Sequence, residues 1–321
     1  MSLNISKDSK SKSIDWLGYA YGAIGASLFA TKGIVIKLAL IENVDALTTL
    51  TWRMIIAVPF FIIIGLTGLK SQQKKSIVKG GEFTISRSAI FRTIFLGMIG
   101  YYIASYLDFA GLEYISAQFD RLILLTNPFF VVIFGAIIFG RVVSAKMIIS
   151  LLVSYSGLAL IFAYDLKIDG NDVITGSLLV LGAAISYALY QLLAKPLIDE
   201  MGARLFTSIA ISSAGIMVII HFLLTHELSD LIVSQNAMWL MLAMGTVSTV
   251  FPAYFIAASI GRIGSEPAAV MGNVSPLVTI SLAVFILNET FTIWHAGGAA
   301  LVLVGMFAFA HSERQVYKRS K

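Results

Sequence analysis

The stretch QFDRLILLTNPFFVVIFGAIIF, residues 118–139, has two charges near its start, Asp120 and Arg121, and none after them. Crossing a bilayer takes about 20 mainly apolar residues in helical form, and this stretch meets that length. It also contains Asn127-Pro128. Proline removes a backbone donor and frees a carbonyl one turn back, and in lipid that carbonyl must find a neighbour, water or a solute. Working outward, nine further stretches of this kind lie near 16–38, 46–68, 90–110, 144–164, 173–194, 203–224, 237–258, 267–287 and 291–310. The expected fold is all-α, a polytopic membrane protein of ten transmembrane helices. The whole chain agrees: of 321 residues, 58% are hydrophobic and 13% charged, with a mean hydropathy of +0.86. A soluble domain carries roughly a quarter charged residues, so lipid is the main solvent.

The first apolar run, from Trp16, is too long for a cleavable signal core and reads as a retained span. Orientation follows from the cations. With the N-terminus inside, the inner segments hold eighteen Lys and Arg, including Lys7, Lys10 and Lys12, six from Lys70 to Arg92, and four from Arg314 to Lys321. The outer loops hold one, Lys167. That positive-inside bias places both termini in the cytoplasm. The tails are residues 1–15 and 311–321.

A shift of 148 residues places Gly97 on Gly245, Tyr106 on Tyr254, Ala110 on Ala258, Pro128 on Pro276 and Gly157 on Gly305. Proline carries most weight, because the chain has only six. Upstream, Gly25-Ala26 and Gly182-Ala183 correspond at a shift of 157, the difference being absorbed by the longer second loop. Two five-helix units follow, 16–164 and 173–310. Five is odd, so the second unit enters the bilayer from the opposite side. Such inverted repeats are a transporter signature, with the solute site between the halves near the midplane.

The first unit opens with Ser27-Leu28-Phe29-Ala30-Thr31-Lys32-Gly33, then Lys37, then Arg53 in the second helix. The second unit ends with Asn273-Val274-Ser275-Pro276, Leu287-Asn288-Glu289-Thr290 and a last helix containing Gly297, Gly298 and Gly305. These features resemble the drug/metabolite transporter superfamily, EamA type, over nearly the whole chain. One departure stands out: the first unit has Arg141 where Glu289 stands in the second. The resemblance implies a multi-pass protein of the bacterial inner (plasma) membrane, with a cavity lined by helices one, three, four, six, eight and nine. It places Lys32 at that cavity and the helix of Arg53 outside it.

Charges inside a span are costly, about +2.5 to 3.5 kcal/mol each on insertion scales. Lys32, Lys37, Arg53, Arg121, Asp108 and Asp120 are six such groups, all in the first unit and all in the outer half of the bilayer. One reading has Lys32 or Arg53 meeting a substrate carboxylate, with Asp108 and Asp120 orienting an amino group or carrying protons. The other has these charges, Lys32 and Arg53 as well as Asp108, Asp120 and Arg121, snorkelling or pairing with one another to lock the helices. Tyr102 and Tyr106 share one face of the third helix, and Tyr187, Tyr190 and Gln191 share one face of the sixth. Tyr254 repeats Tyr106. These, with Asn127 and Asn273, are candidate solute contacts; membrane-interface belts are the bland alternative for tyrosine. Asn127 is expected on the face of Asp120, one heptad earlier. Pro128, Pro252 and Pro276 are candidate hinges.

Cysteine is absent, which excludes disulfides, thiolate metal sites and catalytic thiols. The four histidines lack metal spacing, and no nucleotide-binding fingerprint occurs. No metal, cofactor or nucleic acid is expected. The sequence favours a non-enzymatic secondary transporter, an exporter of small polar metabolites such as amino acids, working by alternating access, with proton coupling and oligomeric state open. The alternatives are a membrane-embedded enzyme or lipid-handling protein, and a sensor that kept a transporter fold.

Overall fold

The computed structural model describes residues 15–78, 84–140, 143–263, 268, 271 and 274–319. Helices start where the sequence offers a cap. The side chains of Ser86, Ser116, Ser144 and Ser234 each accept a hydrogen bond from the backbone N–H three residues on, at 3.0, 3.2, 3.3 and 3.1 Å. That satisfies a donor the first helical turn leaves unpaired. Asp15 does the same for Gly18 N–H at 3.1 Å. Helices stop where the backbone turns left-handed. Gly140 ends one at φ 64°, with no atom within 4 Å of the position a Cβ would take, so conformation rather than space requires glycine there.

The elements in order are α1 (Trp16–Ala30), α2 (Lys32–Ile41), α3 (Ala46–Val78), α4 (Arg87–Gly97), α5 (Ala104–Gly111), α6 (Ala117–Leu124), α7 (Asn127–Phe139) and α8 (Ala145–Asp169). The second half has α9 (Asp172–Met201), α10 (Ala203–Thr225), α11 (Gln235–Gly245), α12 (Phe251–Ile263), α13 (Val274–Leu287) and α14 (Ile293–Arg319). No strand occurs among the described residues. Nine helical stretches among them are long and apolar enough to cross a membrane, and α13 is a shorter apolar helix. The protein is an all-helical, multi-pass membrane protein. Several helices overrun the expected spans: α3 continues to Val78 and α14 to Arg319.

The spans are broken in places the sequence only partly announced. The first is interrupted at Thr31, between α1 and α2. The third and eighth contain wide π-helical turns at Met98–Ile103 and Thr246–Val250, whose first residues lie 148 apart. The fourth breaks at Leu125-Thr126, so Pro128 is the second residue of α7 rather than a kink inside a helix. A first-turn proline loses no hydrogen bond, because its N–H would have had no helical partner. Pro252 follows the π turn as the second residue of α12, and Pro276 is the third of α13. The break at Leu125-Thr126 leaves Asp120 and Asn127 on separate helices, α6 and α7.

Close packing repeats itself across the two halves. A Cβ on Gly97 would strike Ala210 and Ser213 on α10, and one on Gly245 would strike Ile56 on α3. Ile56 and Ser213 are themselves 157 residues apart. Gly25 abuts Phe255, and Gly182 abuts Leu107, its equivalent at the 148 shift. Gly157 and Gly298 meet backbone to backbone where α8 lies along α14. Lipid supplies no hydrophobic drive between helices, so small residues that allow such approach carry the association.

Candidate functional site

At the centre of the bundle lies an ion pair. Lys32, the first residue of α2, donates from Nζ to Asp108 Oδ2 on α5 at 2.6 Å, and their side chains are 13% and 4% exposed. At the Thr31 interruption, Thr279 of α13 donates to the carbonyl of Ala30 at 3.1 Å, and the Thr31 and Ser248 hydroxyls meet at 2.8 Å. Side chains of the second half therefore bond the first span beside Lys32.

Two guanidiniums flank the pair. Arg53, 9% exposed, donates from Nε to Thr249 Oγ1 at 3.1 Å and from Nη1 to Ser105 Oγ at 3.2 Å. Arg121 donates to Ser275 Oγ, while its Nε is buried without a partner. Aromatic faces fill the remaining space. Lys32 Nζ lies 5.8 Å from the Phe29 ring centre and 5.9 Å from that of Phe109. Arg121 sits over Phe29 at 5.3 Å and Arg53 over Phe109 at 5.6 Å, distances at which ring quadrupoles attract cations. Asp120 is 2% exposed, and its Oδ1 is buried without a partner. Tyr187, on α9, lies within electrostatic range of both Arg53 and Arg121.

The cluster thus gathers Lys32, Arg53, Asp108, Asp120, Arg121 and Tyr187. Tyr190 is near it, 6% exposed, its ring edge-on to Tyr101 at 5.1 Å and stacked on Tyr187 at 5.6 Å. Gln191, on the next turn, is exposed and touches Tyr187. Other expected contacts lie elsewhere. Tyr102 bonds His221 Nδ1 at 3.2 Å, and Tyr106 packs on the same imidazole at 4.8 Å, so this pair serves the seam to α10. Asn127 Nδ2 donates to the Ala184 carbonyl at 3.0 Å and fastens α7 to α9. Tyr254 is 66% exposed and points out of the bundle. Asn273 and Arg141 lie outside the described residues. Sequence reasoning missed the hydroxyl partners Ser105, Ser248, Thr249 and Thr279, which carry no signal apart from any other buried Ser or Thr.

Toward the end of the bundle where α2, α6 and α14 have loops, carboxylates cap helix starts from a distance. Glu289, in the α13–α14 turn, accepts from the backbone N–H groups of Ala117 at 2.7 Å and Gln118 at 3.3 Å, at the start of α6. Gln118 Nε2 returns a bond to the Thr290 carbonyl at 2.9 Å. Burial pushes the Glu289 carboxyl above its usual range, against the two amides, which favour the carboxylate. Glu113 similarly accepts from Ala46 N–H at 3.1 Å, at the start of α3. Asp165 and His295 pair at 3.0 Å between α8 and α14. A cavity of about 390 Å³ opens among Lys37, Glu113, Gln118, Asp165, Glu289 and His295. Among the described residues no group of His, Cys, Asp or Glu could hold a metal ion.

A broken first helix, paired π turns and charges gathered between two matched halves are features of a carrier. The sequence profile of the EamA-like transporter family matches residues 16–163 and again 174–310. The chain belongs to the EamA-like transporter family. Among its relatives, the uncharacterized transporter YcbK of Bacillus subtilis is 24% identical over 299 residues, covering 90% of this chain and 92% of that one. An uncharacterized transporter of Methanothermobacter thermautotrophicus is also 24% identical, over 88% of this chain and 83% of its own length. A solved crystal structure superposes with a TM-score of 0.56 at 14% identity, covering 93% of this chain and 98% of that one, which shows the shared fold. Glu289, in the second matched segment, caps a helix of the first.

Proposed function

We propose that this EamA-like transporter is a secondary carrier that exports small polar metabolites such as amino acids from the cytoplasm. It works without an enzymatic step, by alternating access between the units 16–164 and 173–310. The observation that carries the reading is the buried Lys32–Asp108 ion pair at the break in the first span. An ion pair taken out of water is costly, and charged groups inside a membrane protein mark solute pathways, so the cationic cluster around this pair is where the carboxylate of a polar solute would be met. The aromatic walls of Tyr187 and Tyr190 suit a solute with an apolar body and polar ends. Rocking would be guided by the reciprocal glycine contacts and by the paired π turns, with Pro252 and Pro276 at the starts of the moving helices. We place both termini in the cytoplasm and the carrier in the bacterial inner membrane, on the strength of the cation distribution.

The test is a flux panel in proteoliposomes, with radiolabelled amino acids, nucleosides and quaternary amines. Saturable movement of one class, lost in Lys32→Met, is the expected result. No saturable movement of any solute would defeat the carrier reading.

A further inference from the structure

Among the described residues of the cluster, cations outnumber acids: Lys32, Arg53 and Arg121 face Asp108 and Asp120, an excess of one positive charge with both acids ionised. Asp108 is committed to Lys32 at 2.6 Å. Among the described residues neither Arg53 nor Arg121 has a carboxylate oxygen within 4.0 Å; their hydrogen-bond partners are the hydroxyls of Ser105, Thr249 and Ser275. Arg121 keeps a buried donor, Nε, with nothing to bond. An unpaired buried donor is costly, and more so when charged. A guanidinium with a vacant edge is the group best shaped to take a carboxylate through two parallel bonds. Tyr187 lies within electrostatic range of both guanidiniums.

We infer that the solute carried through this site bears net negative charge, as a carboxylate, and that Arg121 and Arg53 hold it. The inference rests on the carrier reading above and narrows it. A neutral zwitterion would leave the extra positive charge uncompensated in a medium where charge is expensive. A monoanion, either a monocarboxylate or an amino acid with a second carboxyl, closes the balance. A cation would double the imbalance. The Ser275 hydroxyl, from α13, makes the anion site span both halves, so its occupancy changes with their relative position.

The test uses the full chain in detergent and in proteoliposomes. Thermal stabilisation and competition for flux are measured with lactate, glutamate, alanine, choline and glycerol 3-phosphate as probes. Lactate or glutamate is expected to stabilise the protein at concentrations at least ten-fold below those alanine or choline require. Arg121→Gln is expected to remove that preference, Arg121→Lys to keep part of it, and Ser275→Ala, a smaller change that spares the fold, to weaken it several-fold. Equal response to alanine or choline, a preference for the phosphate ester, or a carboxylate preference unchanged in both Arg121→Gln and Ser275→Ala would overturn the inference. Saturable flux of choline alone would overturn it while leaving the carrier reading intact. Absence of flux for every solute, with carboxylate stabilisation that Arg121→Gln abolishes, would support the anion site and defeat the carrier.

Discussion

The two halves of the molecule share a scaffold and divide the chemistry. At the positions of Lys32, Arg53, Asp108, Asp120 and Arg121, the second half has Leu189, Ala210, Ile256, Ala268 and Ala269. What it contributes instead is neutral: Ser248 and Thr249 from its π turn and Ser275 and Thr279 from α13, each bonded to the first half. Among the described residues, one half therefore holds every charge of the cluster, and the other bonds it with hydroxyls. A symmetric carrier must visit two states of similar energy, and the packing contacts supply that symmetry. Recognition of a polar solute has no such need, so the charges have collected on one side.

The largest predicted effect breaks the asymmetric part. Asp108→Leu strands the Lys32 ammonium in the bundle, and loss of one partner of a buried pair costs about 3–5 kcal/mol. Thermal stability in detergent should fall accordingly. The double change Lys32→Leu with Asp108→Leu should recover most of it, while transport stays lost. Next, Thr249→Val removes a hydroxyl that accepts from Arg53, at about 1.5–3 kcal/mol for a hydrogen bond to a charged group. The equivalent first-half position, Tyr101, has a different partner, so no matching loss is expected from a change there.

The symmetric part gives a comparison of another kind. Gly157 and Gly305 are equivalents at the 148 shift, and both meet backbone across the α8–α14 seam. Gly157→Val and Gly305→Val should each overpack that seam and destabilise by about 1–3 kcal/mol. The two losses should be similar, and a several-fold difference between them would count against reciprocal packing.

The smallest effect is a pH dependence at Glu289. Its folded value is raised above the ordinary 4.5. The folded chain therefore binds that proton more tightly than the unfolded one. Its contribution to stability is present below 4.5 and is lost as pH rises through the raised value. The melting temperature of the native chain relative to Glu289→Gln should be highest near about pH 4 and decline toward about pH 7. A difference that grows as pH rises would mean that the Ala117 and Gln118 amides outweigh burial.

Much of this was legible in the chain because it followed from length and composition. Spans such as 118–139 announce themselves by apolar length, and Pro128 with Pro276 gave the repeat. The site was legible only as a set of costly residues. That Lys32 would choose Asp108, 76 residues on, depends on tertiary packing that no local residue pattern announces. Arg121 beside Asp120 reads as a local pair, but neighbours in a helix do not face one another, and the guanidinium turned to Ser275 instead. Asp120 and Asn127, expected on one continuous helix, stand on two, because α6 ends at Leu124 and α7 begins at Asn127. Tyr254 matched Tyr106 in sequence, yet the two have unlike surroundings: one is exposed, the other is packed on His221.

The central claim is that the charged centre is reached from one side of the membrane and then the other. The chain has no cysteine, so Ser105→Cys, next to Arg53, introduces a single thiol. Its labelling by a membrane-impermeant reagent can be followed in oriented vesicles from each side. The account predicts labelling from both sides, with a carboxylate solute shifting the ratio between them. Labelling from one side only, unchanged by any solute, would contradict it.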